Sequence, residues 1–387
     1  GAARGGGGGG GRGAPRRGVY GSPHATRGGA ERVTMDLLAL HDREAVVPSV
    51  IFLRDGPLVA EAEALGVSTA VIEAPRLRRV GAARRVRREL ARRFATLGAD
   101  VVHGVMAWGH LYAGPAARRA RVPGVWFQHG VPAWRQPLDV LAALTPARRI
   151  LVNSALTLHA QRRLNPRRVP LELVYPGVRL PAEPHAARRR RGRAALGLPD
   201  EAFVVGLVAR LARGKGHPVL LHAARSLCNA RADAHIVICG EALFGLDPDY
   251  PDELRRLVAD LGLQNRVTFV GAEVEVMEVL AALDVAVHVP TAPESFGLAV
   301  IEAMASGAAV VAGDSGAVRE VVEPGRTALL VPPDDHEALA VALLMLHDDP
   351  AIQRSLAAAA ETAVRERFDA VRTARRVEAI YREVARR

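Results

Sequence analysis

The 387-residue chain is 49% hydrophobic and 24% charged, with a formal net charge of +11. That length suffices for two ordinary domains with buried cores, and that balance excludes a disordered or fibrous chain. No apolar run approaches the ~20 residues of a membrane-spanning helix, the start lacks the apolar core of a secretory signal, and two cysteines, Cys228 and Cys239, with no Cys-x-x-Cys pair argue against zinc and exclude a disulfide framework.

Residues 1–17 (GAARGGGGGGGRGAPRR) read as a flexible low-complexity tail, since glycine in such a run loses too much entropy on ordering. They leave only Gly18-Val19-Tyr20 as a weak first strand ahead of a Gly28-Gly29 turn. Short apolar strands follow at 46–53, 68–72, 100–105, 124–128 and 149–153. Before the third of these, Leu77, Val80, Val86, Leu90, Phe94 and Leu97 make one apolar helix face. Arg78, Arg79, Arg85, Arg88, Arg92 and Arg93 make the other, which is either solvated or in contact with acidic lipid. A strand at 171–175 ends at Pro176-Gly177, and a linker rich in Pro, Ala and Arg runs over 180–193. The alternation then restarts, with strands at 203–208, 235–239, 267–270, 285–289, 308–311 and 328–331. Helices fit at 218–227, 251–261, 275–283 and 298–305, and 337–387 is almost wholly helical in pattern. Two successive runs of strand–helix units predict an α/β protein of two doubly wound parallel-sheet domains, 18–180 and 181–365, followed by a C-terminal helical segment, 366–387. In such sheets ligands bind at the carboxyl ends of the strands, so the cleft between the domains is the expected site.

Charge is unevenly placed. Residues 1–180 hold 28 arginines and 12 acids, net +16, whereas the rest of the chain is net −5. Such asymmetry points to an anionic partner for the first half: a membrane surface, an acidic acceptor or a nucleic acid. A bias toward arginine codons would produce the same count. Nucleic acid is the weakest of these, because there is no recognition module and few aromatics to stack bases.

The strongest chemical signal is the segment from Pro293 to Gly307, PESFGLAVIEAMASG. A buried strand ends at Pro290, an acid follows in the loop, and a Phe-Gly turn opens a helix. Amides at Phe296, Gly297 and Leu298 would lie at the helix amino end, where an anion is favoured. Glu294 precedes that helix and Glu302 lies inside it. Two acceptor-only carboxylates flanking an anion site suit a ligand with phosphate in the middle and hydroxyls at both ends, as in a sugar nucleotide.

Here the chain resembles the retaining glycosyltransferases of family 4 (glycosyl transferases group 1), whose GT-B fold places two Rossmann-like domains face to face across a cleft. The spacing of Glu294 and Glu302, with Ser295-Phe296-Gly297 and the EAMASG that follows, carries the resemblance, which spans about residues 24–385. It implies transfer of a sugar from a nucleoside diphosphate sugar to an acceptor hydroxyl with retained configuration, in glycan, glycolipid or cell-envelope polysaccharide synthesis. Glu294 would hold donor sugar hydroxyls, Glu302 the ribose, and Ser295 to Leu298 the rest of the donor. The run Arg210-Leu211-Ala212-Arg213-Gly214-Lys215-Gly216 resembles the family's cation pair on the donor diphosphate, Arg210 and Lys215, where negative charge builds as the glycosidic bond breaks. Lys215 is the only lysine in the chain, and the run lacks the order of a P-loop. Gly28 and Gly29 resemble the first-domain glycine loop over the phosphates, His129 a histidine near the donor sugar, and Gly271 with the residues to Val276 the segment packing the base. Ser315-Gly316-Ala317 and Glu320 resemble the loop after the next strand, with Ala317 replacing a glycine; Asn153-Ser154 would line the acceptor side.

The resemblance also implies that no metal or other cofactor is needed and that the C-terminal helix crosses back to the first domain. Asp247-Pro248-Asp249 imitates a metal-binding Asp-x-Asp but lacks its context. The expected location is cytoplasmic, with peripheral contact at the inner face of a membrane through the Arg-rich half. Two alternatives remain. A nicotinamide-dependent oxidoreductase would need a Gly-x-Gly-x-x-Gly turn that the region around Gly28 does not supply. A catalytically inactive GT-B partner subunit is opposed by the intact Arg210, Lys215, Glu294 and Glu302.

Overall fold

A computed structural model describes residues 14–243, 247–271 and 274–386. The first domain runs β1 (Arg16–Ser22), α1 (Gly29–Leu40), β2 (Val46–Phe52), α2 (Leu58–Ala64), β3 (Ser68–Val71), α3 (Val80–Thr96), β4 (Val101–Val105), α4 (Met106–Ala120), β5 (Gly124–Gln128), α5 (Pro137–Ala143), β6 (Arg149–Val152), α6 (Ala155–Arg163) and β7 (Leu171–Leu173). Its strands form one parallel sheet in the order β3-β2-β1-β4-β5-β6-β7. The second domain runs α7 (His185–Ala195), β8 (Phe203–Val208), α8 (His217–Ala230), β9 (Ala234–Cys239), α9 (Tyr250–Asp260), β10 (Val267–Val270), α10 (Val276–Ala282), β11 (Val285–His288), α11 (Leu298–Ser306), β12 (Ala309–Gly313), α12 (Val318–Val321), β13 (Leu329–Val331), α13 (His336–Asp348), α14 (Pro350–Arg367) and α15 (Ala370–Ala385). Its parallel sheet has the order β10-β9-β8-β11-β12-β13.

The strands are apolar and short because helices cover both sheet faces, and a strand buried on both sides must be apolar throughout. Both sheets reverse direction once, between β1 and β4 and between β8 and β11. The loops leaving those strands diverge to opposite faces and open a crevice at the carboxyl edge.

Three expectations need revision. The first strand is longer than Gly18-Val19-Tyr20: Arg16 and Arg17, read as tail, are already paired with Val46 and Val47, so register along β2 rather than local composition sets its start. Residues 1–13 of the expected tail lie outside the described residues. The linker read over 180–193 runs into helix α7, which begins at His185 and continues to Ala195 and whose buried Arg188 and Arg193 donate to the carbonyls of Ser306 and Ala282. Finally, α3 begins at Val80, which is 55% exposed rather than part of the apolar face; Leu90 and Phe94 carry that face inward.

Two chain crossings join the domains side by side. Val178 and Asp369 form a parallel bridge, with the Val178 amide donating to Phe368 and the Ala370 amide to Val178 at 2.8 and 3.0 Å. Gly177 is required there, since a Cβ would sit 2.4 Å from the Ala370 nitrogen. Helix α15 then packs on α1, β1 and β4 of the first domain. A buried polar chain holds it: Tyr20 hydroxyl to His41 Nε2 at 2.7 Å, His41 Nδ1 to Glu378 at 3.2 Å, and His103 Nδ1 to Tyr381 hydroxyl at 2.6 Å. Among the described residues no helix is long and apolar enough to cross a membrane.

Candidate active site

Three helices begin at the cleft, and each starts with a glycine that has no side-chain cap: Gly28 before α1, Gly216 before α8 and Gly297 before α11. Eight other helices likewise lack a side-chain cap, whereas aspartates cap α13, α14 and α15 and Ser154 caps α6; what sets these three apart is the glycine and their place at the cleft. A helix start without a side-chain cap presents amide hydrogens and the positive end of the dipole, and is suited to an anion. Gly216 and Gly297 adopt the left-handed region, φ +84° and +103°, which favours glycine. At Gly216 a Cβ would stand 2.0 Å from the Val289 carbonyl oxygen, so only glycine lets the loop after β8 lie against the end of β11.

That contact brings the second-domain residues together. The Thr291 amide donates to Gly214 at 3.0 Å, and the Lys215 ammonium pairs directly with the Glu294 carboxylate. Gly316, with φ +65°, lies under the Glu294 backbone, and the Ala317 amide donates to the Glu294 carbonyl at 3.0 Å. The Ser315-Gly316-Ala317 loop thus supports Glu294 from beneath, and alanine suffices at 317. Burial alone would raise the Glu294 carboxyl; His288, Lys215 and Arg210 outweigh it and hold the group below the usual carboxylate range. His288, at the end of β11, was not singled out from sequence. It is half-buried, its Nε2 is enclosed without a hydrogen-bond partner, and desolvation pushes its pKa down.

Glu302 lies on α11, buried at the start of the interdomain surface. Burial pushes it up to about 7, with Arg32 of α1 opposing and Asp36 adding to the shift. Glu31, also on α1 and also unmarked in sequence, is pushed to about 7 by burial, against its own backbone amide and Arg210 of the second domain. Asp36 bonds Arg179 at 2.6 Å. Charges of α1 therefore face those of α11 and of the loop after β8. Gly29 stands opposite Leu298, 3.9 Å from where its Cβ would be.

A cross-domain hydrogen bond joins the loops after β5 and β11. The His129 carbonyl, beyond the end of β5, accepts from Asn153 Nδ2 at 2.8 Å and from Ser295 Oγ at 2.7 Å. The His129 ring is buried against Phe127 and its pKa falls to about 3, so it is neutral at ordinary pH. Glu320 of α12 accepts from the amides of Ala155 and Leu156, at 2.6 and 2.9 Å, and from the Tyr175 hydroxyl at 3.0 Å. A second-domain carboxylate thus covers the amino end of first-domain helix α6. The Phe296 side chain does not face the cleft. It is buried between Tyr175 and Phe368 at the chain crossing, where it packs rather than lines the cleft. Gly271 follows β10, and residues 272 and 273 of the expected base-packing segment lie outside the described residues. Asp247 is paired with Arg213, through its amide at 3.1 Å and its guanidinium at 3.6 Å. Among the described residues no group of three or more His, Cys, Asp or Glu is placed to hold a metal ion.

Residues 27–180 match the family model described as Glycosyltransferase Family 4, and residues 188–363 match Glycosyl transferases group 1. A D-inositol 3-phosphate glycosyltransferase of Corynebacterium urealyticum is 37% identical over 198 residues, covering 50% of this chain and 46% of its own. The lipopolysaccharide core biosynthesis mannosyltransferase LpsB of Rhizobium meliloti is 33% identical over 202 residues, 51% of this chain and 56% of its own. The chain spans about half the length of the curated relatives it matches. Anabaena Alr3699/HepE, solved in complex with UDP-glucose, superposes with a TM-score of 0.83 at 25% identity, over 95% of this chain and 99% of that one. Sucrose-phosphate synthase of Thermosynechococcus elongatus shares the fold, with a TM-score of 0.77 at 23% identity over 96% and 99%. Both halves of the sequence and the facing of two doubly wound sheets agree: the chain has the GT-B fold and belongs to the group 1 glycosyltransferases of family 4.

Proposed function

We propose that the protein transfers a sugar from a nucleoside diphosphate sugar to an acceptor hydroxyl, with retention and without a metal. The observation that supports this best is the Lys215–Glu294 pair, set where three helix starts without side-chain caps converge. The diphosphate lies on the amides after Gly28, Gly216 and Gly297, with Arg210 and Lys215 against its oxygens. As the glycosidic bond breaks, the leaving diphosphate gains charge, and those cations act there without reorganising. Glu294, held ionised, accepts from hydroxyls of the donor sugar, and Glu302 accepts from the ribose hydroxyls. Neutral His129 offers a ring hydrogen bond beside the sugar, while Gly271 borders the base. Ser295 and Leu298 position the loop by their contacts with the first domain. The leaving phosphate takes the acceptor proton, which requires no carboxylate nucleophile. The acceptor enters between His129, Asn153 and the first domain. The Arg-rich first domain supports peripheral contact with an acidic membrane from the cytoplasm.

The test is donor hydrolysis and thermal shift across a panel of nucleoside diphosphate sugars, on wild type and Lys215→Ala. One donor should raise the melting temperature of the wild type, and the variant should lose ~10²–10³ in kcat for its hydrolysis. A variant that hydrolyses donor at the wild-type rate refutes the assignment.

A further inference from the structure

Among the described residues, five of the twelve large exposed apolar side chains fall in one short stretch of chain. Val131, Trp134, Leu138, Leu141 and Leu144 are 39, 62, 42, 48 and 49% exposed. All five fall between the end of β5, just beyond His129, and the start of β6. The stretch is ordered: the Asp139 carboxylate accepts the Ala133 amide at 3.0 Å, and Ala142 and Ala143 are buried, with α5 resting on α4. Leu138, Leu141 and Leu144 are three residues apart, so they form a ridge on the opposite side of α5. Burying none of these groups costs solubility without any gain in packing, and a contiguous exposed apolar patch marks an interaction surface.

The surroundings say what kind. Helix α4 contacts both α3 and α5, so all three cover the same sheet face. Along α3, Arg84, Arg85, Arg88 and Arg92 are exposed, with Val80 at its start; Glu89 is the acid of that helix, and it pairs with Arg92 and Arg93. Arg118 and Arg119 at the end of α4 and Arg135 beside Trp134 are exposed as well. An apolar ridge led by a tryptophan and flanked by arginines is the chemistry of an interfacial membrane contact. The indole rests at the headgroup level, the leucines enter the acyl boundary, and the guanidinium groups meet anionic headgroups.

We infer that the outer face of α3 and α5, with the last turn of α4 between them and with Trp134 and the α5 leucines as its apolar ridge, docks the enzyme on an anionic lipid bilayer, with the cleft mouth at His129 beside the headgroups. This deepens the proposed membrane contact and rests on the transferase reading only for its purpose.

The full chain is sedimented with vesicles of phosphatidylcholine alone and of equal parts phosphatidylcholine and phosphatidylglycerol. Wild type should pellet with the anionic vesicles only, and less as salt rises. Trp134→Ser with Leu138→Ser and Leu141→Ser should cut partitioning by more than about tenfold. Arg84→Gln with Arg85→Gln and Arg88→Gln should cut it by about fivefold per charge. Both sets should hydrolyse donor in vesicle-free solution like wild type, which shows that they are folded. Equal pelleting of the apolar triple and wild type overturns the inference. So does a wild-type dimer that the apolar triple converts to monomer without changing vesicle binding. Vesicle binding with no donor hydrolysis by any form sinks the transferase reading and leaves the docking surface intact.

Discussion

Glu302→Gln tests the electrostatics of the cleft most directly. Burial lifts Glu302 from an ordinary 4.5 to about 7, against the attraction of Arg32. Between those values the folded protein holds a proton that the unfolded chain has released, so stability falls as pH rises. The contribution is fully present below about 4.5 and gone above about 7. At 1.36 kcal/mol per pH unit the span is worth about 3 kcal/mol. Glutamine has the shape of the protonated acid and does not titrate. Urea unfolding of wild type and variant should therefore agree near pH 4.5 and diverge by up to about 3 kcal/mol at pH 8, with the variant the more stable. Glu31, shifted in the same direction, is present in both proteins and drops out of the difference. The gain should be matched by a functional loss. A carboxylate on the ribose hydroxyls is worth about 1.5–3 kcal/mol, so donor Kd should weaken about tenfold to a hundredfold. Parallel stability curves at pH 4.5 and 8 would refute the burial argument. Unchanged donor affinity would remove Glu302 from the ribose.

Other outcomes follow from the same geometry. Gly216→Ala should destabilise the second domain by about 2–5 kcal/mol, combining a left-handed alanine with a clash on the Val289 carbonyl, read from the urea midpoint. A midpoint within error of wild type would mean that the loop is free to move away. Glu320→Gln should weaken the contact between α12 and α6 by about 1–3 kcal/mol, since one oxygen replaces two charged ones at three donors. Small-angle scattering should then report a more open molecule and kcat should fall; unchanged scattering and kcat would show that the clamp is incidental.

Much of this architecture is legible in the sequence because its causes are local. Doubly buried parallel strands must be apolar runs, which is why 203–208 and 124–128 coincide with β8 and β5. Helix starts reached through a left-handed turn favour glycine, so Gly216 and Gly297 are visible as motifs beside Lys215 and Glu294. What the tertiary structure alone decided is which distant groups meet. The sheet order puts the loops after β8 and β11 side by side, so Lys215 reaches Glu294 across 79 positions of chain. No spacing rule reveals that His288 acts on Glu294, that Glu31 senses the charge of Arg210, or that Glu320 covers the start of α6. The outward leucines of α5 look like any amphipathic stretch until packing shows which face is covered. Periodicity is a property of neighbours along the chain, whereas burial, charge pairing and exposure depend on the folded path that brings remote segments together.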